Sequence, residues 1–426
     1  MHNNGIVPKD KYDRNTFRFN ASRELGRLTA GFNVSYAQQR VNATSNLDQS
    51  TSVYWNIFNT TVMAPITSYK DWQTNPYADP NGYYNAFYQN PYFVIDNNRV
   101  NDRRNTLLGN IDLSYRVKDW LRVQYRLGTT TINQSSLTTQ DRYDYSSYIA
   151  TRPRPTNKNG ATIPGFVQDL RSEQTRINSD FFVSMDKTFG DINVKAIVGN
   201  NVQQFDTRYN FAASTALAVP GLFNLSNRIG NPLTFDGNAQ TRSYSFYADV
   251  TLGYKDFLFV HGSGRNDNIS ILDPANRSFF YPGVDASFVF SNAIPALKDL
   301  TFLDYGKIRG GITKVSQVNL PNAAFPTGIP ANVGSLGVYQ TNGAYALNST
   351  LSPGFGYPFG STASFSADNR LVQAGLLPEN TRSIEAGIEL SFLKRRVAGA
   401  FTYYNQKSTG QTVSAGIASS SGYTSL

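Results

Sequence analysis

Residues 107–128 read LLGNIDLSYRVKDWLRVQYRLG, and apolar and polar side chains alternate along both halves of this stretch. The first half keeps this alternation up to Val117, and the second half keeps it up to Leu127. A period of two predicts β-strands that each have one apolar face and one polar face. About ten residues per half is what a tilted strand needs to cross a bilayer, whereas strands of soluble proteins average about five or six. With its break at residues 119–120, the stretch predicts one hairpin of a transmembrane β-barrel.

The same alternation recurs along the chain and predicts about twelve strands in total. Further hairpins are predicted at 17–36, 181–198, 244–257, 278–315 and 384–403. Tight turns within the hairpins alternate with long connections, predicted at 39–103, 132–170, 207–239, 269–277 and 316–378. Short periplasmic turns and long extracellular loops are typical of outer-membrane barrels. The fold class predicted is therefore all-β, an antiparallel transmembrane β-barrel.

Composition excludes several other classes of protein. The chain lacks an apolar run of 18 residues, so it is not a helical membrane protein. Aromatic residues make up 13% of its 426 residues, which suits the aromatic girdles of a barrel. The absence of cysteine excludes disulfides and thiolate metal sites. The net charge of +9 comes from basic residues spread singly along the chain, so nucleic-acid binding is not expected.

The two ends of the sequence predict that the chain is one part of a larger barrel. Residues 1–11 lack the features of a signal peptide, and residues 422–426 lie in a serine-rich stretch rather than on a terminal strand. An open sheet would leave unpaired edges in lipid, which is prohibitive. We therefore expect residues 1–426 to form a single partial barrel domain, with a complete barrel of about twelve strands as the alternative.

Several segments resemble the SusC/RagA-type family of TonB-linked outer-membrane transporters. The hairpin NPYFVIDNNRVNDRRNTLLGNIDLSYRVKDWLRVQYRLG at 90–128 is similar to a hairpin of that family. So are the segments GIVPKDKYDRNTFRFNAS, FLFVHGSGRNDNIS, RSFFYPGVDASFVFS, LDYGKIRGGITKVSQ and LPENTRSIEAGIELSFLKRRVAGAFTYYNQKSTG, which follow the family's order. The chain departs from the family motifs at 265–268, where a glycine is missing, and at 313–315.

The resemblance implies an importer for oligosaccharides or peptides in the outer membrane, with a barrel of about 22 strands crossing the lipid many times. About twelve of those strands would lie in this chain, whereas the family's plug domain and TonB-contacting segment would not. The resemblance also implies a SusD-like surface lipoprotein and the TonB–ExbB–ExbD complex as partners. A passive porin or structural barrel without a plug is the alternative function.

Charged residues on the polar faces of the predicted strands are candidates for the barrel lumen. Such side chains are predicted to line the interior or to pair with charges on neighbouring strands, and the set is Asp112, Arg122, Arg126, Glu385 and Glu389. Glu385 and Glu389 are four residues apart on one strand, about 13 Å, which is too far for a glycosidase pair. His261 is interpreted as an ordinary strand residue, because too few other ligands exist for a metal site. The chain is therefore not expected to be an enzyme.

Aromatic residues in the longest early connection are candidates for ligand contact. Aromatic planes stack on sugars or pack on peptide side chains, and the candidates are Trp55, Trp72, Tyr83 and Tyr84. The alternative is that they pack the loop against itself or against a lid protein. The turn at 79–82 (Asp-Pro-Asn-Gly) could hold calcium, but it lacks the EF-hand spacing, so no cofactor is predicted.

Overall fold

The structure is a computed structural model of the chain. The residues it describes are 1–45, 52–80, 88–145, 147, 162–298, 302–318, 347–348, 351–353, 357, 359–367, 369, 371–373, 375–423 and 425–426. Four short helices lie among them: α1 Val53–Phe58, α2 Pro91–Asn97, α3 Phe290–Ala293 and α4 Pro295–Lys298. Two single turns of 3₁₀ helix are Ile66–Tyr69 and Ser419–Ser421. No helix of the described part is long and apolar enough to cross a membrane.

The described strands form one large antiparallel sheet and two small pairs. In chain order the strands are β1 His2–Asn4, β2 Lys11–Leu25, β3 Leu28–Thr44, β4 Asn98–Lys118, β5 Leu121–Gln140, β6 Tyr143–Asp144, β7 Thr162–Ile163, β8 Phe166–Phe189, β9 Ile192–Ala213, β10 Leu233–Tyr254, β11 Leu258–Ile269, β12 Ser278–Phe288, β13 Leu303–Gln317, β14 Leu351–Pro353, β15 Phe365–Ala367, β16 Glu379–Phe392 and β17 Val397–Thr409. The large sheet holds 13 strands in the order β1-β2-β3-β4-β5-β8-β9-β10-β11-β12-β13-β16-β17, while β6 pairs with β7 and β14 with β15. Twelve of the 13 are long strands, because β1 has only three residues. The all-β antiparallel fold and about twelve strands are confirmed, although no pairing closes the described sheet between β1 and β17.

One face of the large sheet is apolar over a band next to the tight turns, which we call the apolar belt. Its side chains are exposed on the isolated chain and include Phe19, Phe32, Ile111, Leu113, Phe181, Val198, Phe246, Val284, Ile312 and Phe401. On β4 the belt runs from Val117 up to Leu107, after which the same face carries Asn105 and Arg103. Apolar side chains over this height match the lipid-facing band of a barrel, which is about 25 Å tall.

The central strands extend well beyond the apolar belt, so the predicted loop boundaries are wrong at several places. β4 has 21 residues and β8 has 24, about twice the length needed to cross a bilayer. The connection predicted at 39–103 spans only residues 45–97 in the structure. The connection predicted at 132–170 spans only residues 141–165, which include the β6–β7 pair. The strands continue because backbone pairing between neighbouring strands does not require an apolar face.

Tight turns join the strands at the end of the sheet nearest the belt. Gly26 and Gly190 have positive φ in the β2–β3 and β8–β9 turns, where a side chain at Cβ would be strained. Lys255 and Asp256 both have positive φ, as the two central residues of a type I′ hairpin require. The Lys255 amine lies 3.2 Å from the Asp191 carboxylate of the neighbouring turn, and this hydrogen bond raises the pKa of Lys255.

A small hydrophobic core, the loop core, lies at the opposite end of the sheet. Its buried residues come from the β1–β2 and β3–β4 connections and from β7: Val7, Val53, Trp72, Ala78, Phe93, Val94, Ile95 and Ile163. Helix α1 is capped by Ser52, whose side chain accepts a hydrogen bond from the Trp55 amide. Helix α2 is capped by Asn90 and has proline at its first position. These caps position the two helices whose apolar residues build the core.

Candidate functional site

The candidate site is the face of the large sheet opposite the apolar belt, which we call the polar wall. Because side chains alternate between faces, directly paired residues on successive strands lie on the same face, about 4.8 Å apart. One such row crosses six strands and contains Asp112, Arg126, Asp180, Asn201, Ser245 and Asp267. A polar row of this kind can bind solutes through hydrogen bonds and charges of both signs.

Arg126 is the central cation of this row. Its Nε lies 3.2 Å from Oδ1 of Asp112, and its guanidinium lies 5.2 Å from the ring centre of Phe182. On the other side it is paired in register with Asp180, which accepts hydrogen bonds from Asn178 and Asn201 at 2.6 Å. The structure therefore brings together Asp112 and Arg126, two of the residues singled out from the sequence.

Arg122 lies on the same face and the same strand as Arg126 but in a different environment. It is paired in register with Arg116 and Ser184, and it makes no ion pair with any described residue. Two neighbouring cations repel one another unless an anion separates them. Because Arg116 lies 3.9 Å from Glu24, Arg122 is the cation of this pair left to meet an anionic solute group.

A second group on the polar wall is centred on Arg265, which the sequence does not single out. Its guanidinium donates to Asp267 at 2.7 Å and to the Ser245 hydroxyl at 2.8 Å. The Tyr281 hydroxyl donates to the same carboxylate at 2.6 Å. The Arg265 guanidinium also lies 5.7 Å from the ring centre of Tyr247. These contacts hold five side chains of β10, β11 and β12 in one arrangement.

Gly199 makes room for Tyr247 on this wall. A Cβ at Gly199 would lie 2.5 Å from the Tyr247 ring and 2.7 Å from Cβ of Phe182. The absence of a side chain on β9 lets the ring lie flat across the neighbouring strand. This glycine therefore determines where an aromatic surface is presented to the interior.

His261 is held between two carboxylates on the polar wall. Its Nε2 lies 2.7 Å from Asp249 and its Nδ1 lies 2.6 Å from Asp285. Ionised carboxylates only accept hydrogen bonds, so both ring nitrogens donate only when the imidazole is protonated. The interpretation of His261 as an ordinary strand residue is therefore incomplete, because its two ring nitrogens lie within hydrogen-bond distance of carboxylates on strands β10 and β12.

The two sequence-predicted glutamates of β16 lie in different surroundings. Glu389 lies 3.4 Å from Nε of Arg309 and 3.6 Å from the Lys307 amine. Glu385 is paired in register with Gly311 and Tyr404, and it lines a cavity of about 290 Å³ together with Asp285 and Arg309. The first glutamate is thus neutralised by strand β13, while the second faces open space.

The two described aromatics of this connection, Trp55 and Trp72, do not share one surface. Trp72 is only 8% exposed and packs edge-on against Phe93, with ring centres 5.0 Å apart, while its indole donates to Asp96 at 2.9 Å. Trp55 is 41% exposed on α1. Tyr83 and Tyr84 lie outside the described residues. Trp72 is therefore placed as a packing residue, whereas Trp55 is exposed.

The calcium expectation concerns a turn that the structure describes only in part. Asp79 is fully buried, and Oδ2 of its carboxylate accepts a hydrogen bond from the Tyr143 hydroxyl at 3.5 Å. Residues 81–82 lie outside the described part. Across the described ranges, no three His, Cys, Asp or Glu side chains are grouped to hold a metal ion.

The Asp79–Tyr143 contact predicts that the loop core weakens at high pH. Burial, and then the charge of Asp79, raise the pKa of Tyr143 from 10.0 to about 12. Because the folded pKa is raised, the stabilisation is complete below pH 10 and is lost as the pH rises through 12. We expect faster proteolysis of residues 52–97 above pH 10 in the wild type. The Tyr143→Phe variant, which cannot ionise there, is the control: an identical pH profile for the two proteins would contradict this assignment.

The comparison with solved structures places this architecture among outer-membrane transport barrels. The RagAB peptide transporter matches 98% of this chain with a TM-score of 0.70 at 14% identity, and its "open-open" state gives 0.68. The ferric-catecholate import receptor Fiu from E. coli K12 matches 94% with a TM-score of 0.50 at 12% identity. This chain spans 42% of the RagAB chain and 52% of Fiu.

Two sequence-level comparisons give no match. No family model matches the chain, and no curated protein does. At 14% identity, the likeness to RagAB shows the fold. The chain thus has the fold of a transport barrel of the outer membrane. Its fold is similar to that of the RagAB transporter, in agreement with the SusC/RagA-type resemblance of the sequence.

Proposed function

We propose that residues 1–426 form one domain, part of the wall of a TonB-dependent importer that crosses the outer membrane with many strands. The observation that carries the proposal is the division of one sheet into the apolar belt and the polar wall. The belt has the height of a lipid-facing band, while the other face carries paired charges and exposed polar side chains. A sheet of this kind separates lipid from a water-filled path.

The cargo we propose is a peptide or an oligosaccharide too large for passive diffusion. The polar wall carries positive and negative side chains close together. Nε of Arg126, for example, lies 3.2 Å from Oδ1 of Asp112. The wall also offers aromatic faces beside arginine, as at Tyr247. Charges of both signs suit the charged groups of a peptide, and aromatic faces suit sugar rings or apolar side chains. The likeness to a peptide transporter supports the peptide class.

We propose two partners for the complete protein, a SusD-like surface lipoprotein and the TonB–ExbB–ExbD complex. The loop end of the chain exposes apolar side chains that the barrel itself does not cover, with Phe58 81% and Met63 90% exposed. Exposed apolar groups close together are typical of docking surfaces. A lipoprotein seated there would enclose the cargo, and TonB would supply the energy for its release.

Uptake measurements in cells test the importer proposal. Deleting the complete gene, or removing TonB, is expected to abolish uptake of labelled peptides or oligosaccharides. The Arg126→Gln/Arg265→Gln variant is expected to lower uptake by about tenfold, because each arginine can make a charge-assisted hydrogen bond to cargo. The Arg396→Gln variant removes an exposed cation from the β16–β17 turn and is the control. Unchanged uptake after gene deletion or TonB removal would contradict the proposal.

A further inference from the structure

Two arginines lie close together at the loop end of the polar wall. Arg14 of β2 and Arg104 of β4 are both paired in register with Gln39 of β3, so the three side chains lie on one face of the sheet. The Cα atoms of the two arginines are two strand spacings apart, about 10 Å. We call Arg14, Gln39 and Arg104 the arginine row.

The arginine row lies between the apolar belt and the loop core, on the interior side of the sheet. Arg104 shares its face with Asp112 of the polar wall, whereas the adjacent Arg103 shares the face of Leu107. The belt ends at Leu107 on β4, and Arg104 lies three residues beyond it toward the loop end. A solute that enters from the loop end therefore meets the row before it reaches Arg126.

Neither arginine of the row makes an ion pair within the described part of the chain. Arg99, on the same strand as Arg104, is different, because it lies 2.9 Å from the Asp10 carboxylate. Nε of Arg14 is buried and has no hydrogen-bond partner among the described residues. Turning the Arg14 guanidinium toward a ligand therefore breaks no hydrogen bond of this nitrogen.

Asp102 offsets part of the charge of the row but does not occupy it. Its carboxylate lies two residues from Arg104 on the same face of β4 and attracts that guanidinium. Oδ1 of Asp102 accepts a hydrogen bond at 2.7 Å from Gln134, which belongs to β5. The carboxylate is thus held on the side away from Arg14 and Gln39, and the row keeps a net positive charge.

The polar wall as a whole changes the sign of its charge from one half to the other. On this face of β2, β4 and β5, basic side chains outnumber the carboxylates, which are Glu24, Asp102 and Asp112. From β10 to β16 the carboxylates are in excess, and they are Asp249, Asp267, Asp285, Glu379, Glu385 and Glu389. The basic side chains of that half are Arg265, Lys307, Arg309 and His261. A free carboxylate is therefore repelled by one half and attracted by the half that carries the arginine row.

Arginine and glutamine supply the donors that a carboxylate requires. Each guanidinium can give two parallel hydrogen bonds to the oxygens of a carboxylate, and charged donors make these bonds stronger than neutral ones. The Gln39 amide, which lies between the two arginines, adds neutral donors. The two arginines also repel each other less once an anion lies between them.

We propose that the arginine row binds a carboxylate of the cargo as the cargo enters from the loop end. The inference rests on the proposed importer function, and it narrows the cargo to molecules that carry an acid group, either on a peptide or on a sugar. Arg14 and Arg104 bind the carboxylate from its two sides, and Gln39 donates from between them.

Isothermal titration calorimetry on the full-length protein in detergent tests the arginine row. The first pair of probes is an uncharged hexapeptide with a blocked N-terminus and a free C-terminal carboxylate, and the same peptide as its C-terminal amide. The second pair is a trimer of galacturonic acid and a trimer of galactose. The Arg14→Gln/Arg104→Gln variant is expected to bind the acidic probe about 100-fold more weakly than the wild type, because the charge-assisted hydrogen bonds of two guanidinium groups are lost. Its affinity for the neutral probes should be unchanged.

The Arg40→Gln/Arg103→Gln variant is the matched control. These two arginines are paired in register with each other on β3 and β4, next to Gln39 and Arg104 but on the belt side of the sheet. The variant removes the same charge at the same height, on the side that solute in the interior does not reach. It should bind all four probes like the wild type.

Three results would overturn the carboxylate site. The first is a wild-type protein that binds neither acidic probe more tightly than its neutral partner, the second is wild-type affinity in Arg14→Gln/Arg104→Gln, and the third is an equal loss in the control variant. A preference confined to one pair of probes supports the site and identifies whether a peptide or a sugar carries the acid group. Binding needs no TonB, whereas uptake does, so a failure of the carboxylate site is seen separately from a failure of the importer proposal.

Discussion

An arginine in place of Leu113 is expected to destabilise the membrane-inserted protein by about 2 to 4 kcal/mol. Leu113 lies near the middle of the belt on β4, between Ala30 of β3 and Tyr125 of β5. An arginine there would face hydrocarbon at the depth where a charge is most costly. Denaturant unfolding of the full-length protein folded into lipid vesicles measures the loss.

The adjacent residue supplies the matched control. Ser114 lies on the polar wall, where it lines an open groove together with Thr29 and Gln124. The Ser114→Arg variant adds the same side chain one position along the strand, but into water. It is expected to change the free energy of unfolding by less than about 1 kcal/mol. Equal losses for the two variants would contradict the assignment of the faces, and with it the importer proposal.

The hairpins could be predicted from the sequence because, at the height of the apolar belt, each strand has one apolar face and one polar face. Ile111 and Leu113 alternate with Asn110 and Asp112, and an alternating strand of that length between tight turns is typical of a membrane barrel. The ends of the strands could not be predicted in this way. In the second half of β5, residues 129–140 are mostly Thr, Ser, Asn and Gln on both faces, so the period-two signal disappears while the backbone pairing continues.

The candidate site was accessible from the sequence only where its partners are close along the chain. Asp112 and Arg126 lie in one hairpin, so the turn at 119–120 places them opposite one another. His261 is different, because Asp249 and Asp285 reach it from two other strands. A one-residue change of register would turn either carboxylate to the other face. Only the register of three strands identifies that contact.

The contacts of the loop core are even harder to predict from the sequence. Trp72, Phe93 and Tyr143 meet although they come from separate stretches of the chain, and none lies in a segment with regular periodicity. An aromatic residue in a long connection is equally consistent with ligand contact and with packing. Burial separates the two tryptophans, because Trp72 is 8% exposed and Trp55 is 41% exposed.

Trp72→Ala is therefore expected to unfold the loop core while leaving the sheet intact. Removing a buried tryptophan typically costs about 3 to 5 kcal/mol, and two edge-on ring contacts, to Phe93 and Tyr143, are lost with it. The indole hydrogen bond to Asp96 is lost as well. Hydrogen exchange of the full-length protein should show protection falling by about 100-fold or more in residues 52–97, with β8 and β9 unchanged.

Two further variants separate packing from ligand contact at this end of the barrel. Trp55→Ala removes the same side chain from an exposed position and should leave hydrogen exchange of residues 52–97 within a few-fold of wild type. Trp72→Phe keeps an aromatic ring but cannot donate to Asp96, so it should recover part of the lost protection. Unchanged protection in Trp72→Ala would mean that the ring does not hold the core together. If cargo uptake then falls only in Trp55→Ala, the exposed indole contacts the ligand or the lid; if it falls only in Trp72→Ala, the folded loop is what the cargo requires.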